Sequence, residues 1–234
     1  MAWSHIQTPE ADINNGVTSG AATFGSNVTA GSLIVVCVAL FRAGGSNVSS
    51  ITDSLSNTYA QDVTQTYLGT DCRQSTWRAF NSGAGANTVT VNLSACSDLT
   101  FTISEFGGAL TTDPNDASNQ ATGTSQTPSV SVTAVDSNVM MVGSFAHAGT
   151  NRTLTSGTGY SLLAESEGGT TAMPIHSMFQ EFVSSGAKTV DGSIGTGSVE
   201  WAICGTAYKP AAGGAATWGP LYGLFNNRLV VATG

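Results

Sequence analysis

Along most of the chain, apolar and polar residues alternate in short runs. Val89, Val91 and Leu93 share one parity and Thr88, Thr90 and Asn92 the other, and Leu99, Phe101 and Ile103 alternate in the same way with Thr100, Thr102 and Ser104. A strand turns successive side chains to opposite faces, so each run predicts a half-buried antiparallel strand. The nine residues LIVVCVALF, Leu33 to Phe41, do not alternate. They predict a central strand covered on both faces, packed by Val139 and Met141 and by Trp201 and Ile203 of the last strand. Comparable runs between Gly, Asn, Asp and Ser clusters predict strands over 32–41, 48–53, 60–67, 74–80, 88–93, 99–106, 129–135, 139–146, 160–165, 172–183, 189–194 and 199–208. No window sustains a 3.6-residue period, so no helix longer than about three turns is expected.

About a dozen strands without helical crossovers must bury their apolar faces against one another. The expected fold is therefore all-β, a jelly-roll-like antiparallel β-sandwich over residues 1–209, with 1–20 as an N-terminal segment. After Lys209 the rhythm breaks: PAAGGAA reads as a flexible linker and is followed by WGPLYGLFNNRLVVATG. Trp218, Leu221, Tyr222, Leu224 and Phe225 crowd five large apolar residues into eight positions, and Leu229, Val230 and Val231 form a β-prone run. Residues 210–234 are read as linker and assembly arm, with these eight side chains docking on a neighbouring chain. The linker Ala211 to Ala216 has a reach of up to about 20 Å.

Charged residues are only 9% of the chain, and the formal charge is −8 with Lys188 and Lys209 the only lysines. That disfavours nucleic acid and anionic membranes, which call for a basic stripe. Ser, Thr, Asn and Gly supply the polarity instead, and a surface solvated by hydroxyls and amides loses little when packed against protein. The longest apolar run is too short to cross a bilayer as a helix. The first twenty residues have no basic start, apolar stretch or cleavage pattern of a secretory signal, which points to synthesis in a host cytoplasm. Cys37, Cys72, Cys96 and Cys204 show no CxxC spacing and are expected to be reduced thiols.

Candidate chemistry is sparse. His5, His147 and His176 stand in no ligand or triad spacing, and spacing alone does not show whether a nucleophile and an orienting carboxylate lie within reach of one of them. Glu105, Glu165, Glu181 and Glu200 fall in or at the ends of strands, where a glycosidase pair could form, but the E-x-D-x-E pattern of jelly-roll glucanases is absent and Glu105 reads as a solvated strand end. In TTDPND, Asp113, Asn115 and Asp116 gather oxygen ligands as a calcium loop does, yet the same residues are ordinary turn chemistry. Trp3, Tyr59, Tyr67 and Trp77 are candidates for stacking on sugar rings, and the opposite parity of Trp77 and Phe80 suggests that one of them leaves the core. The expectation is a protein with no catalytic residue, cofactor or metal.

The phrases SLIVVCVALF, ITDSLSNTYAQ, AGANTVTVNLS, LTFTISEFGGAL, NVMMVGSFAH, GTGYSLLAE and VEWAICGTAYKP resemble a family of bacterial and bacteriophage β-sandwich domains. The resemblance rests on an I-T-D-S-x-x-N-T-Y hairpin, Ile51 to Tyr59, and a closing W-A-x-x-x-x-A-[YF]-K strand, Trp201 to Lys209, and spans about residues 20–210. It implies structural roles alone: capsid decoration, fibre or adhesive module. With no export signal, it implies a virion location, most simply a bacteriophage head-surface protein whose partners are capsid or further copies of itself. The alternative is a glycan-binding or adhesin module on an extracellular surface.

Overall fold

The computed structural model describes residues 3–41, 47–67, 72–148, 152–166, 173–195 and 197–211. Among them every regular element is a strand: β1 Ser4–Gln7, β2 Glu10–Thr23, β3 Leu33–Phe41, β4 Val48–Asp53, β5 Ala60–Tyr67, β6 Cys72–Ala79, β7 Thr88–Gly107, β8 Asn115–Ser125, β9 Ser129–Ala134, β10 Val139–His147, β11 Leu154–Ser156, β12 Ser161–Ser166, β13 Ile175–Phe182, β14 Gly186–Ile194 and β15 Val199–Tyr208. The all-β, antiparallel, jelly-roll-like expectation holds.

The strands sort into two units of the same topology. In the second, β12-β13-β10-β15-β8 form one sheet and β11-β14-β9 the other. In the first, β1-β7-β3-β6-β5 form the corresponding sheet, β4 pairs with the first half of β7, and β2 pairs along β7 from Thr88 to Thr102. Counting the two halves of β7 as separate strands, both units read 1-8-3-6-5 over 2-7-4, which is the jelly-roll order except that the fifth strand sits beside the sixth and not the fourth. The first unit curls because two long strands, β2 and β7, run from one sheet into the other without a break. Registers agree as well: Leu33 pairs Phe106 and Val36 pairs Ile103, while Met140 pairs Tyr208 and Gly143 pairs Gly205 at equivalent positions. Two short segments at equivalent positions are alike in sequence, GANTV at 85–89 and GAKTV at 186–190. Each leading glycine has positive φ, 131° and 95°, a conformation that favours a residue without Cβ.

Three cores result. One lies inside the first unit, where Ile34, Val36, Val38 and Leu40 meet Val89, Val91, Phe101 and Ile103. Another lies inside the second, around Val139, Met141, Phe145, Val190 and Ile203. The third joins the two five-stranded sheets face to face, with Leu33, Val35 and Phe106 against Met140, Val142 and Tyr208. In the second unit the sheets approach closely because Gly143 and Gly205 replace the side chains that Val36 and Ile103 supply in the first. A Cβ on Gly205 would sit 2.8 Å from both Val132 and Val190.

Several expectations are corrected here. Residues 1–20 hold β1 and most of β2, and 115–125 form β8: both are polar strands with weak alternation. Residues 88–93 and 99–106 belong to one strand. β3 is indeed buried on both faces, but it meets Met140, Val142 and Ala202; Val139, Met141, Trp201 and Ile203 point to the far side, into the second unit's core. Every residue of β10 is buried, so burial alone gave no parity. Thr100, Thr102 and Ser104 do not face solvent either. They lie between the units, where Thr102 Oγ1 is 2.8 Å from Ser177 Oγ and Gln74 Nε2 donates to Ser144 Oγ at 2.6 Å.

Candidate functional sites

Trp218, Leu221, Tyr222, Leu224, Phe225, Leu229, Val230 and Val231 lie outside the described residues. The point from which their segment departs is defined. Lys209 N–H donates to Pro114 O at 2.7 Å, Leu110 N–H to Lys209 O at 3.0 Å and Ala211 N–H to Gly108 O at 2.6 Å. These bonds clamp the chain beside a shallow groove of about 310 Å³ lined by Leu110, Asp136, Ser137, Asn138, Lys209, Pro210 and Ala211. Next to it in the chain, Val135 is 72% exposed.

The hairpin that carries the family resemblance is organised by Asp53. Its carboxylate accepts from the amides of Leu55 (3.1 Å) and Asn57 (2.9 Å), from Asn57 Nδ2 (2.7 Å), from Tyr59 Oη (2.9 Å) and from Asn87 Nδ2 (2.9 Å). The D, N and Y of the motif are thus one hydrogen-bonded turn. Burial pushes the Asp53 pKa up, but the bonds from Asn87, Asn57 and Tyr59 together outweigh it and hold the carboxyl below its ordinary value. A lowered folded pKa gives stability that is full above the unfolded value, about 3.9, and is lost as pH falls through the folded value. Asp53→Ala is expected to lose about 1–3 kcal/mol at pH 7, and the gap from the parent should shrink below about pH 4. Urea unfolding from pH 7 to pH 2 measures both.

Asp113 and Asp116 do not converge. Asp113 Oδ1 accepts from Arg78 Nη2 at 2.6 Å, while Asp116 Oδ2 accepts the amide of Val135 at 2.7 Å. Among the described residues no cluster of three His, Cys, Asp or Glu could hold a metal ion. Asp62, which no sequence pattern singles out, lies on β5 with its side chain fully buried; it pairs with Arg78 and accepts from Asn115 Nδ2 (2.9 Å) and Tyr208 Oη (2.7 Å) of the second unit.

Glu105 is not a solvated strand end: it is 0% exposed. Thr29 N–H (2.7 Å) and Ser32 Oγ (2.8 Å) donate to one oxygen, and Gln7 Nε2 (2.6 Å) donates to the other. Glu181 is exposed, Glu200 is half-buried, and neither is joined to a second carboxylate by any bond described here. His5 lies against Phe106 and Phe179, with ring centroids 5.5 and 5.4 Å away. His147 is buried, its Nδ1 3.0 Å from Ala148 O. Burial lowers the pKa of both.

His176 differs. Its Nε2 is 2.8 Å from Ser156 Oγ and its Nδ1 3.3 Å from Glu165 Oε2, so strands β11, β13 and β12 bring a hydroxyl, an imidazole and a carboxylate into one chain. The ring stacks on Phe145 at 4.9 Å, and burial lowers its pKa to about 4. The 11- and 20-residue separations carry no motif.

The aromatic candidates for sugar stacking belong to the cores. Trp3 and Tyr67 are buried between the units, Tyr59 and Trp77 pack on the first unit's core, and Phe80 packs on the inter-unit core, so neither Trp77 nor Phe80 leaves the interior. All four cysteines are buried, and none of them is joined in a disulfide. An opening of about 300 Å³ at the edge of the first unit is lined by Leu40, Asn47, Val48, Gln61, Thr64, Arg73 and Ser75. No family model, curated protein or solved structure matches the chain.

Proposed function

We propose that this chain is a non-enzymatic structural protein of a virion, most simply a bacteriophage capsid-decoration or head-surface protein, acting by assembly with capsid or with copies of itself. The observation that supports the reading is the break after Lys209, where a Gly/Ala linker is followed by five large apolar residues in eight positions, Trp218 to Phe225, while the described residues up to Ala211 already form three cores among themselves. The clamp at Lys209–Ala211 gives that segment a fixed point of departure. Outward strand faces such as Ser129, Ser131 and Thr133 of β9 expose hydroxyls rather than charge, which lowers the desolvation cost of packing. Buried aromatic area is what dominates interface energetics, and Leu229 to Val231 suit addition to a partner's open strand edge.

Removing residues 212–234 tests it. The truncated protein is expected to keep the β circular dichroism signal and the melting temperature of the full chain, and to sediment as a monomer where the full chain associates. A truncated protein that unfolds, with the full chain monomeric, assigns the segment to its own core and overturns the reading. Saturable binding of the full chain on a polysaccharide array, without association, supports the adhesin alternative.

A further inference from the structure

Where the two sheets of the second unit part, between β11 and β12, Ser156, His176 and Glu165 form the hydrogen-bonded chain described above. We propose that Ser156 is an activated nucleophile, with His176 as its base and Glu165 as the positioning residue, that accepts an acyl group from an activated ester.

The proton positions follow from the geometry. His176 is 2% exposed and flanked by Phe145, so its neutral form is favoured. Nδ1–H then donates to Glu165 Oε2, which leaves Nε2 with a lone pair facing Ser156 Oγ–H. That is the arrangement in which a hydroxyl loses its proton as it attacks. The imidazole is held on three sides, by Phe145, Ser156 and Glu165, while Ser156 and Glu165 are only partly buried and open to the edge. Among the described residues a further charged group, Asp191 on β14, lies against this turn, and its backbone carbonyl accepts Gly157 N–H at 2.9 Å.

The duplicated fold supplies an internal control. By register the equivalents of Ser156, Glu165 and His176 in the first unit are Ile51, Thr64 and Ser75. The fold closes there without the constellation, so packing does not dictate it. The same edge of the first unit holds the 300 Å³ opening, lined by Thr64 and Ser75.

In the step proposed, Ser156 Oγ bonds to the carbonyl carbon and its proton passes to His176 Nε2. The bond from that carbon to the leaving alkoxide breaks, and the alkoxide departs with the proton. Because the Gly157 amide is already engaged, it is not available to stabilise an oxyanion, and the loss of one such donor costs about 10²–10³ in rate elsewhere. The expected behaviour is slow, single acylation of Ser156 rather than rapid turnover. The inference is independent of the assembly reading.

The test treats the full chain with an alkyl fluorophosphonate, which forms an Oγ–P bond and releases fluoride, and separately with p-nitrophenyl acetate. Peptide mapping is expected to place one adduct on Ser156 and leave the other serines unmodified. Ser156→Ala should abolish it and Glu165→Gln should slow it at least about tenfold, with circular dichroism unchanged in both. The labelling rate should stay level from pH 8 to about 5 and fall below that as His176 takes up a proton. No adduct on Ser156, an adduct unaffected by His176→Gln in a folded protein, or a rate rising steadily with hydroxide overturns the proposal.

Discussion

Replacing Asp62 with alanine is expected to cost about 3–5 kcal/mol, because it leaves Arg78, whose side chain is only 12% exposed, without its buried counter-charge. The remaining partner, Asp113, is 70% exposed and screened by solvent, so it replaces little of the loss. Tyr208, fully buried, loses the acceptor of its hydroxyl at the same time. Asp62 and Arg78 belong to the first unit and Tyr208 and Asn115 to the second, so the substitution weakens the joint between them. Urea unfolding should show a lower midpoint and a broadened or divided transition. A loss under about 1 kcal/mol would count against the buried pair as a structural element. Asp62→Asn, which keeps an acceptor for Tyr208, should recover part of the loss.

Glu105→Ala is the second large effect, expected at about 3–4 kcal/mol. The carboxylate draws together β1, the turn before β3 and the end of β7 through Gln7, Thr29 and Ser32, and all three donors lose their acceptor when it is removed. Unpaired buried donors cost about 1–3 kcal/mol each, moderated where water or a new partner reaches them. For a chain of this size that corresponds to a melting temperature lower by about 6–16 °C, read by calorimetry. Glu105→Gln should fall between the two, since one amide end presents hydrogens to a donor. An unchanged melting temperature in the alanine variant would show that water substitutes for the carboxylate.

What the sequence made legible follows from where burial is one-sided. Val89, Val91 and Leu93 alternate with half-buried Thr88, Thr90 and Asn92, and their strand and inward face are readable from period alone. Thr100, Thr102 and Ser104 show the same alternation yet face a second sheet. A hydroxyl that bonds across a buried interface looks, in sequence, like one that bonds to water. Glu105 misleads for the same reason, since its three donors come from distant segments. The strands β2 and β8 were hidden because DINNGVTSG and NDASNQATGTS lack an apolar period. The repeated topology was hidden because equivalent core pairs differ, Val36–Ile103 against Gly143–Gly205, and GANTV and GAKTV are too short a likeness to stand out. Ser156, Glu165 and His176 meet only after three strands are placed, which spacing along the chain does not encode.

The clamp at Lys209–Ala211 has one more consequence when set beside the other end of the described chain. Trp3 donates its indole N–H to Asn138 O at 2.8 Å, and Asn138 lines the same groove as Ala211. Entry and exit of the folded body thus share one corner, the geometry that lets a fold be spliced into a surface loop of a host protein, or have its ends joined and new ones opened elsewhere, without disturbing the sheets. The far rim, at the opposite end of the body from this corner, is where an inserted peptide would stand furthest from such a splice point.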